Sequence, residues 1–305
     1  MTQVAEPDPG MIGGVPTPPL AILPRPERLF GQRAARFDVL AEGSNLGPYL
    51  RFLADLARVQ ARLAADLPAP TPVPSDRVAL ARASRMPPID RHDAGAEPLL
   101  DDTLSALCRE AAGIEMPAAA RLALDAVAAA TPDDRRWLLG NVLDDAIPVD
   151  SPAPHLFAAA AVQVHLARIA ATLDARQLVP IRTGVCPACG GRPASSVVTG
   201  VQGAEGTRYA ACSCCQTLWN EVRVKCLCCG STKGIGLQSV DDGTGEATVR
   251  AETCDECGSW VKQMLQTKNP ALDPVADDVG TLGLDALMRG GTWRRGGVNP
   301  FLIGY

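Results

Sequence analysis

CPACGGRPASSVVTGVQGAEGTRYAACSCC at residues 186–215 and CLCCGSTKGIGLQSVDDGTGEATVRAETCDEC at residues 226–257 carry ten of the eleven cysteines of this 305-residue chain. Eight of the ten fall into C-x-x-C pairs: Cys186/Cys189, Cys212/Cys215, Cys226/Cys229 and Cys254/Cys257. A C-x-x-C turn aims two sulfurs at one point. Two such turns joined by a hairpin make the tetrahedral four-sulfur cage that zinc or iron prefers. The order of the pairs assigns Cys186, Cys189, Cys212 and Cys215 to one metal ion. It assigns Cys226, Cys229, Cys254 and Cys257 to a second. Cys214 and Cys228 lie beside ligand positions and read as spare thiols, dispensable for metal.

The two stretches are copies of one pattern: knuckle, hairpin, knuckle. Gly190, Gly230 and Gly258 each follow the second cysteine of a pair, where the turn around a metal calls for positive φ. Gln216 holds the equivalent place after Cys215 and breaks the pattern. Trp219 and Trp260 follow the last cysteines at nearly equal distances. Between the knuckles, Val197 and Val198, then Arg208–Ala211, read as strands about a turn at Gly203–Gly206. In the second copy Leu237–Val240 and Thr248–Glu252 flank Asp242-Gly243, a hairpin signal. Each ribbon has few apolar residues, so the metal is expected to supply its stability.

Outward from the ribbons, the chain reads as helical. Aromatics are 4% of residues against 47% apolar overall, and the abundant alanine favours packed helices. Leu29, Phe30, Ala34, Phe37 and Leu40 recur at helical spacing from Pro26. Tyr49, Phe52, Leu53, Leu56, Val59, Leu63 and Leu67 form the apolar face of a second helix, opposite Arg51, Asp55, Arg58, Arg62 and Asp66. Further helices are expected at 99–112, 117–130, 132–143 and 152–173. The last is apolar on nearly all sides and is the candidate core helix. Cys108 reads as a core residue. A final helix is expected at 277–288, and the Phe301-Leu302-Ile303 tail is expected to fold back on the body. The expected architecture is α+β: an extended segment (1–25), an α-helical domain (26–180), two tandem rubredoxin-like or zinc-ribbon modules (181–222 and 223–268), and a short C-terminal helix and tail (269–305).

The net charge of −5 argues against a nucleic-acid or anionic-membrane surface. No apolar run approaches a membrane span. The first residues lack the basic and apolar regions of a secretory signal. Thiols arranged as metal ligands rather than a disulfide framework suit a reducing compartment, so a cytoplasmic location is expected. No phosphate loop, dinucleotide fingerprint or nucleophile elbow is present. The histidines are scattered, and Asp144 and Asp145 read as surface charge at a helix end. A metal closed by four thiolates offers no open position for hydrolysis. No catalytic or organic-cofactor residues are therefore assigned, and the chain is not expected to be an enzyme.

RPERLF near residue 25, YLRFLADLARVQ in the second helix, CPACGGRP and KCLCCGS opening the ribbons, ADDVGTLGLDALM and the closing VNPFLIG resemble, in that order, the FdhE family of formate dehydrogenase accessory proteins. The resemblance spans nearly the whole chain. It implies a cytoplasmic, non-enzymatic factor needed to make active formate dehydrogenase and in contact with that enzyme's catalytic subunit. It also implies rubredoxin-like centres, so that the two ions are iron or zinc, held by the eight cysteines already named. Two other classes compete. One is a rubredoxin-like electron carrier. The other is a nucleic-acid-binding zinc ribbon using Arg208, Arg223, Lys225 and Lys233, although acidic neighbours nearly balance those charges.

Overall fold

The computed structural model describes residues 11–12, 15–201, 204–240 and 247–303. Asp242-Gly243 and Gly203 lie outside the described residues. Ahead of the helices, β1 (Met11–Ile12) and β2 (Val15–Pro16) form a two-residue ribbon, and β3 (Ala21–Ile22) joins the main sheet. Eight helices follow: α1 (Pro26–Ala41), α2 (Gly47–Asp66), α3 (Ser75–Ser84), α4 (Arg91–Ala96), α5 (Pro98–Ala111), α6 (Ala118–Ala128), α7 (Pro132–Leu143) and α8 (Pro152–Ala170).

Proline opens α1, α5, α7 and α8 and sits one residue into α2. Its fixed φ suits a first turn, and its missing N–H is not needed there. Thr131 caps α7 by accepting from the Asp134 amide at 3.2 Å. α8 is the core helix, buried on nearly every side and packed on α2, α5, α6 and α7. Cys108 is buried in the same core, as its place in a helix suggested. Helices α3 and α4 escape the sequence reading. α3 buries only Ala81, so its apolar pattern is faint, and α4 is a six-residue segment. No helix among the described residues is long and apolar enough to cross a membrane.

The ribbons supply β4 (Pro193–Val198), β5 (Arg208–Cys212), β6 (Leu218–Glu221), β7 (Ile235–Gln238), β8 (Val249–Cys254) and β9 (Ser259–Leu265). Each copy is a three-stranded antiparallel meander. The meanders fuse edge to edge because β4 runs parallel to β9, pairing Ser196 with Gln263 and Val198 with Leu265. The result is one sheet in the order β3-β6-β5-β4-β9-β8-β7. This fusion corrects the expectation of ribbons without a core of their own. Every residue of β4 and β5 is buried, and the first cluster's cysteines belong to the same apolar core as the helices.

The single helix expected at 277–288 is two, α9 (Ala276–Gly280) and α10 (Leu282–Met288). At the junction the buried Lys262 ammonium donates to the carbonyls of Asp278 at 2.6 Å and Thr281 at 3.1 Å, giving acceptors at the helix break a buried partner. Gly280 lies so close to the Leu40 side chain that a Cβ would be within 2.9 Å of it. After β10 (Arg294–Arg295), which lies parallel to β9, the tail does fold back. Phe301 and Leu302 are buried, and the Phe301 carbonyl accepts from the Tyr49 hydroxyl at 2.7 Å.

Candidate metal centres

The structure brings the eight paired cysteines into two groups of four, in the pairs that the spacing suggested. Within each group the Sγ atoms lie within 4.8 Å of one another. In the first, Cys186 faces Cys215 at 3.6 Å and Cys189 faces Cys212 at 3.5 Å. In the second, Cys226 faces Cys257 and Cys229 faces Cys254, both at 3.7 Å. A tetrahedron with metal–sulfur bonds of about 2.3 Å has edges of about 3.8 Å. Both groups fit that cage, and neither Cys214 nor Cys228 belongs to one.

The knuckles are built alike. The Gly190 amide donates to the Cys186 carbonyl at 2.9 Å, and the Gly230 amide to the Cys226 carbonyl at 3.0 Å. Gly190, Gly230 and Gly258 take φ of 76°, 81° and 61°. Gln216 adopts the same left-handed turn at φ 63° despite its side chain. The side chain compensates. Its amide nitrogen donates to the carbonyls of Ser213 and Cys214 at 3.1 Å, and its oxygen accepts from Arg33 Nη2 at 2.7 Å. The departure from glycine thus fastens the first knuckle to α1. Gln163 of α8 adds a second tie, donating to the Ser213 carbonyl at 3.0 Å.

The two groups differ in surroundings. All four sulfur-bearing residues of the first are buried, whereas in the second Cys229 is exposed and Cys257 half-buried. Burial pushes the Cys186 and Cys212 thiols up, while contacts from its three neighbours hold Cys189 down. Four thiolates in that setting need a cation to offset their mutual repulsion and lost hydration. In the second group burial also opposes ionisation of Cys226. The amides of Cys229 and Cys228 outweigh it and bring that thiol down to about 7. Donors aimed at sulfur favour the thiolate that a metal requires.

Several charges lie where the sequence reading did not place them. Asp144 is solvent-facing, but Asp145 is buried and ion-paired with Arg91 at 3.1 Å. Asp145 takes φ 54°, which turns it inward at the end of α7. Arg208 is buried rather than available to a nucleic acid. It bonds Glu252 at 2.7 Å and the Lys225 carbonyl at 2.8 Å, joining the two meanders. Lys262 and Arg295 meet Asp278 and Asp285, and Arg36 grips Asp277. The acids of ADDVGTLGLDALM therefore fasten the C-terminal helices to β9, β10 and α1. Their clustering in sequence was visible, but their partners lie far off in the chain.

A helical body with a fused pair of four-cysteine ribbons defines a metal-binding, zinc-ribbon-type protein. Comparison with known proteins narrows the class. Three family models match in succession: "FdhE, N-terminal" over residues 18–183, "FdhE, central domain" over 185–223 and "FdhE, C-terminal domain" over 224–302. The chain is 56% identical over 300 residues to a protein FdhE homolog of Rhizobium meliloti, covering 98% of each. It is 33% identical over 288 residues to an Escherichia coli protein FdhE, covering 94% of this chain and 91% of that one. The crystal structure of the FdhE protein from Pseudomonas aeruginosa superposes with a TM-score of 0.83 at 31% identity, covering 93% of this chain and 99% of that one. The chain belongs to the FdhE family.

Proposed function

We propose that the protein is a cytoplasmic accessory factor in the assembly of active formate dehydrogenase, that it binds the catalytic subunit of that enzyme, and that it is not itself an enzyme. Family membership along the whole chain supports the link to formate dehydrogenase. The observation that carries the non-enzymatic reading is the closure of both cages. Four thiols converge on each centre, which leaves a zinc or iron ion no vacant position for substrate. When bound, such an ion supplies a fixed shape and, if iron, a one-electron couple. The residues around it orient the sulfurs and exclude water from the first site.

The test is capture from anaerobically grown cells using the full-length, metal-loaded chain. The expected result is recovery of a formate dehydrogenase catalytic subunit, reduced by Cys226→Ser with Cys229→Ser. Cells lacking the protein should make the subunit but oxidise little formate. Normal formate oxidation in such cells overturns the reading. A second reading, a rubredoxin-like electron carrier, draws on the exposure of Cys229. It requires a reversible potential and turnover between a donor and an acceptor.

A further inference from the structure

A groove of about 710 Å³ runs between α1 and the β5–β6 side of the sheet and is lined also by the loop after β9. Its floor is apolar, with Leu29, Leu218 and Leu272. Its wall carries Arg25, Arg28, Arg33 and Arg36 against one acidic residue, Asp273. In a chain of net charge −5 this is a local reversal of sign. Asp273 is already occupied: it accepts from Arg33 Nε at 3.0 Å and from the amides of Val275 and Ala276 at 2.9 and 2.7 Å. Arg36 is held by Asp277. Arg25 and Arg28 are exposed and form no ion pair among the described residues.

Arg33 is 1% exposed. It uses Nε on Asp273 and Nη2 on Gln216, and its Nη1 has no hydrogen-bond partner. A buried guanidinium donor left unpaired is costly, and a carboxylate is the acceptor whose geometry a guanidinium matches best. The Nη1 atom is itself closed off from solvent, so the cations the groove offers are Arg25 and Arg28, which with the apolar floor define a site for carboxylates flanked by apolar groups. The volume matches a ligand larger than a single small anion. We propose that this groove binds an extended acidic peptide segment of another protein, with glutamate or aspartate side chains received by Arg25 and Arg28 and apolar neighbours on the leucine floor. The proposal goes beyond the formate dehydrogenase reading and does not depend on it, because the purified chain alone is sufficient to test it.

The probe is a capped, fluorescein-labelled heptapeptide in which leucine and valine alternate with two glutamates, titrated into metal-loaded, full-length protein and followed by anisotropy. The same peptide with glutamines is the control. The expected result is at least tenfold weaker binding of the glutamine peptide. A loss of at least tenfold is also expected on Arg25→Glu with Arg28→Glu, at unchanged metal content and circular dichroism. Both substitutions are at exposed positions, so the variant retains the fold. Equal affinity for the two peptides, an unaltered affinity in the variant, or no binding at millimolar peptide overturns the proposal. Inorganic phosphate binding with the same arginine dependence while the peptide does not bind makes the groove a small-anion site and overturns the peptide occupant.

Discussion

Metal-loaded protein, challenged with excess chelator and a thiol-reactive disulfide, should release its two ions in separate phases. The fast phase comes from Cys226, Cys229, Cys254 and Cys257, because Cys229 is exposed and Cys257 half-buried. The reagent reaches those sulfurs without any opening of the fold. In the first site no cysteine is more than 1% exposed. Access there requires lifting the buried β4–β5 pair, or parting the Gln163–Ser213 and Arg33–Gln216 bonds. Openings of a native protein range from near zero up to its global stability, itself about 5–15 kcal/mol. An opening of about 4 kcal/mol slows release by about 10³, since each 1.4 kcal/mol is roughly tenfold. Stopped-flow absorbance of the chelate, with elemental analysis before and after, reads both amplitude and rate. Cys226→Ser with Cys229→Ser should remove the fast phase and keep the helical signal. Cys186→Ser with Cys189→Ser should destabilise the whole chain. Release of both ions in one phase, or a total other than two, would refute the reasoning.

Cys214→Ser and Cys228→Ser should each retain two ions by elemental analysis, since neither sulfur belongs to a cage; loss of an ion in either would mean that the ligand sets are wrong. Gln216→Ala should be less stable than Gln216→Gly by about 1 kcal/mol, the cost of a Cβ in the left-handed region, and both less stable than the parent because the Arg33 bond is lost; urea titration orders the three. Burial, with Arg168 adding to it, lowers the His165 imidazole to about 4, and the half-exposed Glu97 at 3.6 Å is screened by water. The unfolded chain therefore binds that proton first, so stability is full above about pH 6.5 and falls towards pH 4, by about 3 kcal/mol from this group. His165→Leu should lose that much less between pH 7 and pH 4; parallel losses in the two proteins would contradict it. Arg208→Ala should cost about 3–5 kcal/mol, because Glu252 is left buried without its cation, and a melting temperature within a degree of the parent would show the pair to be inert.

The thiol cages were legible because ligand spacing is a local property: two residues between sulfurs already define a knuckle. The stronger helices were legible for the same reason. Phe30, Phe37, Leu53 and Leu56 recur within a few turns, and the prolines mark the starts. What stayed hidden depends on partners distant in sequence. The parallel pairing of Val197 with Met264 leaves no mark on either strand alone. Asp145 read as a surface charge and Arg208 as a candidate nucleic-acid contact, because a charge is buried only where a distant partner meets it. Gln216 was visible as a departure from glycine, yet its reach to Arg33 on α1 could be seen only once the fold had closed.

The placement of these buried charges bears on why the two cages differ. Arg33 and Arg36 tie α1 to Asp273 and Asp277, while Lys262 and Arg295 tie β9 and β10 to Asp278 and Asp285. Gln216 and Gln163 tie the first knuckle to α1 and α8. The first cage therefore stands where the helical body, the sheet and the C-terminal segment all meet. An ion there fixes the relative positions of three parts of the chain, and its loss is felt by all of them. The second cage stands at the far side of the fused sheet, held by β7, β8 and β9, with one ligand residue open to water. An ion there fixes its own knuckles and, through Leu227 and the Arg208–Lys225 bond, one edge of contact with the rest of the chain. Metal exchange and attack of an oxidant on sulfur require access to that sulfur, so such chemistry falls to the second cage. The first can respond only through the fraction of molecules that have opened.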